Sequence, residues 1–304
     1  ADEEAGGRVG AGWLVQNRPE VFARPGSVLL NEGGGSTRYP DGTVVVGIET
    51  TQKIPLWLRL QVRDRPSHGS APRAHTAVNR LIRGLARLAD TEFEVRVNDV
   101  VQTSFSGSAD LLPAHLAEGA SDLRSAVDDR EFLMNLRTYS PWQAAQLRST
   151  CSITRLGGST KINTIPGVAW AEVDCRLLPD EDPEAFTQRI AEIFNDPNVS
   201  VIPLLSFTPA VSPMDSTLFE TLGRVMRSDL EGSRVLPTMS TGFTDSHYFR
   251  DAGVLSYGFS PFVIGADEIA PGEGAHGHNE RISTENLVQG TRRMIRVLEA
   301  FALE

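Results

Sequence analysis

The segment Leu56-Trp57-Leu58-Arg59-Leu60-Gln61-Val62-Arg63 alternates cleanly, with Leu56, Leu58, Leu60 and Val62 on one face. That pattern predicts a half-buried strand, one side on a core and the other toward solvent. The same period returns at Val168 to Leu177, where Ala169, Ala171, Val173, Cys175 and Leu177 face one way and Glu172, Asp174 and Arg176 the other. Between these strands Val78, Leu81, Ile82, Leu85, Leu88 and Ala89 recur at helical spacing, with Arg80, Arg83 and Arg87 on the opposite face. Ser149 to Leu156 and Val199 to Leu205 read as further strands, and Asp182 to Phe194 as a helix. Residues 90–148 show no sustained period and are expected to form short helices with loops. The block 56–207 therefore reads as strand-helix-strand-strand-helix-strand, an α+β sandwich with helices on one face of an antiparallel sheet.

The flanking segments follow a different rhythm. A glycine-rich turn at Gly33 to Gly35 leads into a strand at Thr43 to Ile48. After Pro209 come a helix from Ser216 to Ser228, a strand near Val235, a helix after Thr244 and a strand from Val254 to Phe259. A last helix is expected to bury Leu287, Thr291, Met294, Ile295, Leu298 and Phe301. The whole reads as an α/β domain built from residues 1–55 and 208–304, interrupted by an inserted α+β domain at 56–207.

Composition narrows the function. The 304 residues are 40% hydrophobic and 22% charged, enough for one large domain or two modest ones with real cores. A net charge of -10 argues against nucleic acid or a membrane surface as partner. No apolar run is long enough for a membrane-spanning helix. Cys151 and Cys175 are too few for a disulfide scaffold or a cysteine zinc site and are expected to pack as small apolar residues. The cytoplasm is the favoured compartment.

Candidate chemistry sits near both ends. The chain opens on Ala1-Asp2-Glu3-Glu4-Ala5-Gly6-Gly7. Neighbouring carboxylates repel one another unless a cation lies between them. With one, Glu4 can coordinate it while Glu3 acts as general base on a polarised water. A solvated acidic run is the plain alternative. In His276-Gly277-His278-Asn279-Glu280, a loop histidine could ligate zinc through neutral imidazole, oriented by a carboxylate such as Glu280. Spacing does not choose between His276 and His278. Glu32, in Asn31-Glu32-Gly33-Gly34, sits among glycines that would let the backbone pass close to a metal. No nucleophile elbow, phosphate-binding loop or dinucleotide fingerprint occurs.

Seven motifs fall in one order: Asp-Glu-Glu-Ala-Gly-Gly, Asn-Glu-Gly-Gly, Arg65-Pro66-Ser67-His68-Gly69-Ser70-Ala71-Pro72, Gly157-Gly158 to Asn163-Thr164-Ile165-Pro166, Asp174-x-Arg176, Thr244-Asp245-Ser246 and His-Gly-His-Asn-Glu. Through essentially its whole length the chain resembles the di-zinc aminoacylase and carboxypeptidase family of metallopeptidases. That family includes aminoacylases, carboxypeptidase S, glutamate carboxypeptidase, acetylornithine deacetylase and succinyl-diaminopimelate desuccinylase. The resemblance implies a zinc-peptidase-like catalytic domain and an inserted lid that dimerises. It implies Glu3 as general base, Glu4, Glu32 and His276 as zinc ligands, and His68 as an oxyanion-stabilising residue, in many members reaching across a dimer interface. Asn163 and Arg176 match lid residues that bind substrate, the arginine taking its carboxylate. This agrees with a guanidinium on a polar strand face, although Arg176 could also simply pair with Asp174 or Glu172. In the family a His-x-Asp motif and a metal-bridging Asp precede the Glu-Glu pair, so the chain is expected to be a fragment of a longer protein. Asn31 stands where relatives often have Asp.

Two functions follow as expectations. The first is a metal-dependent hydrolase cleaving an amide bond next to a free carboxylate, in an N-acyl amino acid or short peptide. Its cofactor would be zinc, with cobalt or manganese fitting the same ligands. The second is an inactive fragment or pseudoenzyme whose lid still dimerises or binds carboxylates.

Overall fold

The computed structural model describes residues 2–22, 24, 26–208, 210–265 and 280–302. The chain begins with a short 3-10 turn, Glu3–Ala5, and continues through α1 (Ala11–Asn17), α2 (Pro19–Phe22), β1 (Val28–Asn31), β2 (Gly35–Arg38) and β3 (Val44–Gln52). It then forms β4 (Ile54–Arg63), β5 (Ser67–His68) and α3 (Ala77–Ala89). Five short helices follow: α4 (Asp99–Ser108), α5 (Ala114–Ser121), α6 (Leu123–Ala126), α7 (Arg130–Tyr139) and α8 (Pro141–Ala145). Next come β6 (Thr150–Gly157), β7 (Thr164–Ile165), β8 (Val168–Leu177), α9 (Pro183–Phe194) and β9 (Val199–Ser206). The chain ends with α10 (Thr217–Asp229), β10 (Arg234–Ser240), α11 (Ser246–Asp251), β11 (Leu255–Phe259), β12 (Val263–Gly265) and α12 (Thr284–Ala302).

Two sheets meet at a single residue. In the first, β3 runs parallel to β10 along one side and shares its other side between β2 and β11, both antiparallel to it. Strands β1 and β12 extend this sheet, parallel to β11 and β2 respectively. β3 is buried over nearly its whole length, as expected of a central strand covered on both faces. After Gln52 and Lys53 the chain enters the second sheet, whose antiparallel order is β6-β8-β4-β9. β4 and β8 pair in unbroken register from Ile54 opposite Leu177 to Arg63 opposite Val168.

The alternation read from the sequence decides how this second sheet packs. Leu56, Leu58, Leu60 and Val62 are enclosed together with Ala169, Ala171, Val173, Cys175 and Leu177, under α3 and α9. Thr76 caps α3 and Asp182 caps α9, each side chain accepting a backbone N–H that the first turn leaves open. Ile82, expected on the buried face of α3, is exposed instead; Gly84, Leu85 and Leu88 line that face. The cysteines do pack in this core, but Cys151 stands directly opposite Cys175 across β6 and β8 and the two form a disulfide.

The last helix bears out only part of its expected stripe, since Met294 and Phe301 pack against the core. Asn286, Gly290, Arg293 and Val297 are its buried positions, while Leu287, Thr291, Ile295 and Leu298 face outward. Hydrogen bonding explains why polar residues share the buried face, because a buried polar group is tolerated when its partners are supplied. Asn286 exchanges two bonds with the backbone of Val263, and Arg293 donates to Asp229 at 2.6 Å and to the Pro261 carbonyl at 3.0 Å.

Residues 99–145 do fold as short helices, around a core of their own that includes Leu178 and Met239. This helical insert touches both sheets. α4 packs on β10, and Arg234 of β10 forks onto Asp110. At its far end Arg96 pairs with Asp180 and Glu181, just after β8.

Candidate active site

A cavity of about 750 Å³ lies where the two sheets and the helical insert meet, lined by Glu3, Glu32, Glu49, Trp57, Trp142 and Arg176 among others. Its acidic wall is built by glycines. Gly33 and Gly34 have φ of +119° and +66°, and a Cβ on Gly33 would lie 2.4 Å from Glu49 Oε2. The loop can therefore press onto β3 only because these positions have no side chain. This brings Glu32 close enough to Glu49 for its charge to help raise the Glu49 pKa.

Glu3 reaches the same cavity from the opposite direction. Its turn is held by α11, where the Tyr248 hydroxyl donates to the Gly6 carbonyl at 2.7 Å. Gly7, at φ +63°, leaves room for the Asp245 carboxylate, which a Cβ there would strike. The Thr244-Asp245-Ser246 motif is itself fixed to β3, since Thr244 donates through both its backbone N–H and its hydroxyl to Gln52 Oε1 at 3.1 Å. Asn31 donates to Ser246 Oγ at 3.1 Å, so the amide at this position acts as a donor tying β1 to α11. Burial raises the Asp245 carboxyl above its ordinary range, with Asp2 and Glu32 adding to the effect.

Beneath the acidic wall lies an ion pair that sequence reading missed. Glu49 and Arg250 are almost fully enclosed, with Oε1 and Nη2 3.5 Å apart. Burial pushes the Glu49 carboxyl up to about 7 against the pull of Arg250, and its Oε2 has no hydrogen-bond partner. No local pattern announces this pair, because its members are 201 positions apart.

The opposite wall carries Arg176. Its Nε and Nη2 fork onto Asp174 at 2.8 and 3.0 Å, and its guanidinium lies 5.0 Å over the Phe243 ring. Nη1 is left without a partner. Trp57 meets the same phenylalanine edge-on at 6.0 Å. The helical insert adds Trp142 and Gln146 to this wall, two residues that nothing in their sequence context singled out.

Glu3, Glu32 and Arg176 are thus brought together. His68 and Asn163 are brought to each other but not to the cavity. They lie at the small two-stranded β5–β7 sheet, where His68 is opposite Thr164 and Gly69 donates to the Asn163 carbonyl at 2.8 Å. Both are exposed, and His68 Nδ1 is 2.7 Å from Ser70 Oγ. The backbone of Glu4 belongs to the first turn, whereas His276 and the competing His278 lie outside the described residues.

The donors present suit a hard or borderline divalent cation, being carboxylate oxygens on a cavity wall with an orphaned Glu49 oxygen beneath. They form a partial set, since among the described residues no three His, Cys, Asp or Glu side chains stand together closely enough to hold an ion.

Residues 50–201 match the family described as the peptidase dimerisation domain of M20 peptidases. The chain belongs to the M20 aminoacylase/carboxypeptidase family. It is 29% identical over 300 residues to the N-fatty-acyl-amino acid synthase/hydrolase PM20D1 of Xenopus tropicalis, covering 93% of this chain and 55% of that protein. It is 24% identical over 314 residues to human aminoacylase-1, covering 99% of this chain and 62% of that protein. The M20 chain therefore spans little more than half the length of these curated relatives. Its fold is shared with an M20 family metallo-carboxypeptidase of Sulfolobus solfataricus, with a TM-score of 0.66 at 16% identity over 100% of this chain and 69% of the other. The α/β sheet with its inserted α+β domain is thus a fold shared with M20 peptidases.

Proposed function

We propose that this chain carries the substrate-binding face of a metal-dependent hydrolase. Its substrate is an amide bond beside a free carboxylate, in an N-acyl amino acid or short peptide. One observation carries the reading: a single cavity is lined both by the acidic side chains of Glu3, Glu32 and Glu49 and by Arg176, whose Nη1 has no partner. An amide lying across it would meet proton-accepting chemistry at one end and a carboxylate receptor at the other.

Glu4, Glu32 and His276 would hold the metal, zinc by ligand type, which when bound polarises the scissile carbonyl and lowers the pKa of a water to near neutrality. Glu3 takes the water's proton and passes it to the leaving amine nitrogen. Asp174 holds the Arg176 guanidinium in the plane that receives the substrate carboxylate, leaving Nη1 to donate. Glu49 and Arg250 support the acidic wall from below, which keeps Glu32 where the glycine loop sets it.

His68 and Asn163 act from a second copy of the chain. Both side chains are exposed and lie away from their own cavity, so a homodimer through the lid is the arrangement that makes them useful. In that position His68 would stabilise the tetrahedral oxyanion, an interaction worth on the order of 3 kcal/mol. The test is turnover by the full gene product of an N-acyl amino acid against its methyl ester. The free acid should be favoured by at least about tenfold, as expected for loss of a charge-assisted bond to Arg176. Equal rates would overturn the assignment.

A further inference from the structure

A second cavity of about 350 Å³ opens beside the first, and the two share Trp142, Arg176, Thr241 and Gly242 as their common wall. Its other walls are mainly apolar, with Pro141 and Ala145 beside Lys53 and Thr150. Trp142 is 72% exposed, an indole face turned to solvent at the junction of the two cavities.

The helix carrying that indole is held from three sides. Ser140 caps α8 by accepting from Gln143 N–H, and Pro141 occupies its first turn. Lys53 donates from below to the Ala145 carbonyl at 2.9 Å. Gln146 donates to the Met239 carbonyl on β10 at 2.8 Å. An exposed aromatic on so fixed a support is positioned rather than merely tolerated.

We infer that this side cavity is a specificity pocket, with Trp142 as its platform, for an apolar side chain on the carboxylate-bearing half of the substrate. The inference rests on the proposed role of Arg176. A carboxylate held at the shared wall is one bond from the α-carbon, which also carries the scissile nitrogen and the side chain. With the amide directed toward Glu3 and Glu32, the remaining substituent is directed past Arg176 into the side cavity. Its volume suits one side chain rather than a long acyl group. Lys53 also lines it, but its ammonium is engaged by the carbonyls of Ala145 and Arg148 and the Thr150 hydroxyl. The pocket therefore has no uncommitted cation for an acidic side chain beyond Arg176, which the substrate carboxylate engages, and the Arg176 charge disfavours a basic one.

Calorimetric titration under a chelator, so that nothing turns over, tests this with N-acetyl-glycine, N-acetyl-L-phenylalanine and N-acetyl-L-glutamate. The phenylalanine compound should bind the unaltered protein about tenfold more tightly than the glycine compound, the scale of an aromatic contact. Trp142→Ala, a change at an exposed position, should bring the two within about twofold. Arg176→Ala should weaken both alike. Equal binding of the two compounds by the unaltered protein, an unchanged ratio in Trp142→Ala, or preference for glutamate would each overturn the pocket while leaving the role of Arg176 standing. Binding of none of the three would overturn the carboxylate receptor and the pocket with it.

Discussion

Lys53 is enclosed at the junction between the two sheets, and its surroundings make a measurable demand on stability. The residue has no exposed surface, and burial, aided by Arg176, lowers its pKa from 10.5 to about 7. In the unfolded chain the amine keeps its proton to about pH 10.5. Between those values the unfolded state binds one proton more than the folded state, so folding stability rises with pH. The slope approaches about 1.4 kcal/mol per pH unit and accumulates to about 2 kcal/mol between pH 7 and 9. Lys53→Met removes the group while roughly keeping its volume. Guanidinium unfolding of both proteins at pH 7 and pH 9 isolates the contribution, because other titrating groups cancel in the difference. The stability of the unaltered protein relative to Lys53→Met should increase by about 2 kcal/mol over that range. The three acceptors around Nζ act in the opposite sense by favouring the ammonium. A difference that does not change with pH would mean they hold it charged, and would refute the reasoning.

Two further outcomes follow from the site. Gly33→Ala should lower stability by about 2 kcal/mol or more and displace Glu32, since the new methyl meets Glu49 Oε2 and the backbone is left-handed; thermal unfolding of the variant checks it, and an unchanged midpoint would contradict the close packing. If His68 serves the partner's cavity, mixing inactive Glu3→Gln and His68→Ala forms of the full gene product should restore roughly a quarter of the activity, from mixed dimers with one intact site; no recovery after subunit exchange would place His68 in its own site or outside catalysis.

How far the sequence revealed all this depends on which physical signal each part leaves. The lid strands were legible because one face is buried and one is not, and Leu56 to Val62 records that directly. The last helix misled for the converse reason. Leu287, Ile295 and Leu298 look like a core stripe, yet Asn286 and Arg293 hold the buried face through bonds to Val263, Asp229 and Pro261. Pairing of Cys151 with Cys175 needed the register of β6 against β8, which composition does not encode.

In the site, Glu3, Glu32 and Arg176 were found through motif order. Glu49 and Arg250 were not, because a buried pair formed across the fold has no local signature. Trp142 and Gln146 sit in the helical insert, whose short helices have no long amphipathic repeat, so only the fold shows that they reach the cavity.

The most direct test of the account is Glu3→Gln in the full gene product, with turnover of an N-acyl amino acid and bound zinc per chain measured on the same preparation. A general base in this position predicts a loss of at least about 100-fold in kcat with the zinc content unchanged. Near-normal turnover at unchanged zinc would contradict it.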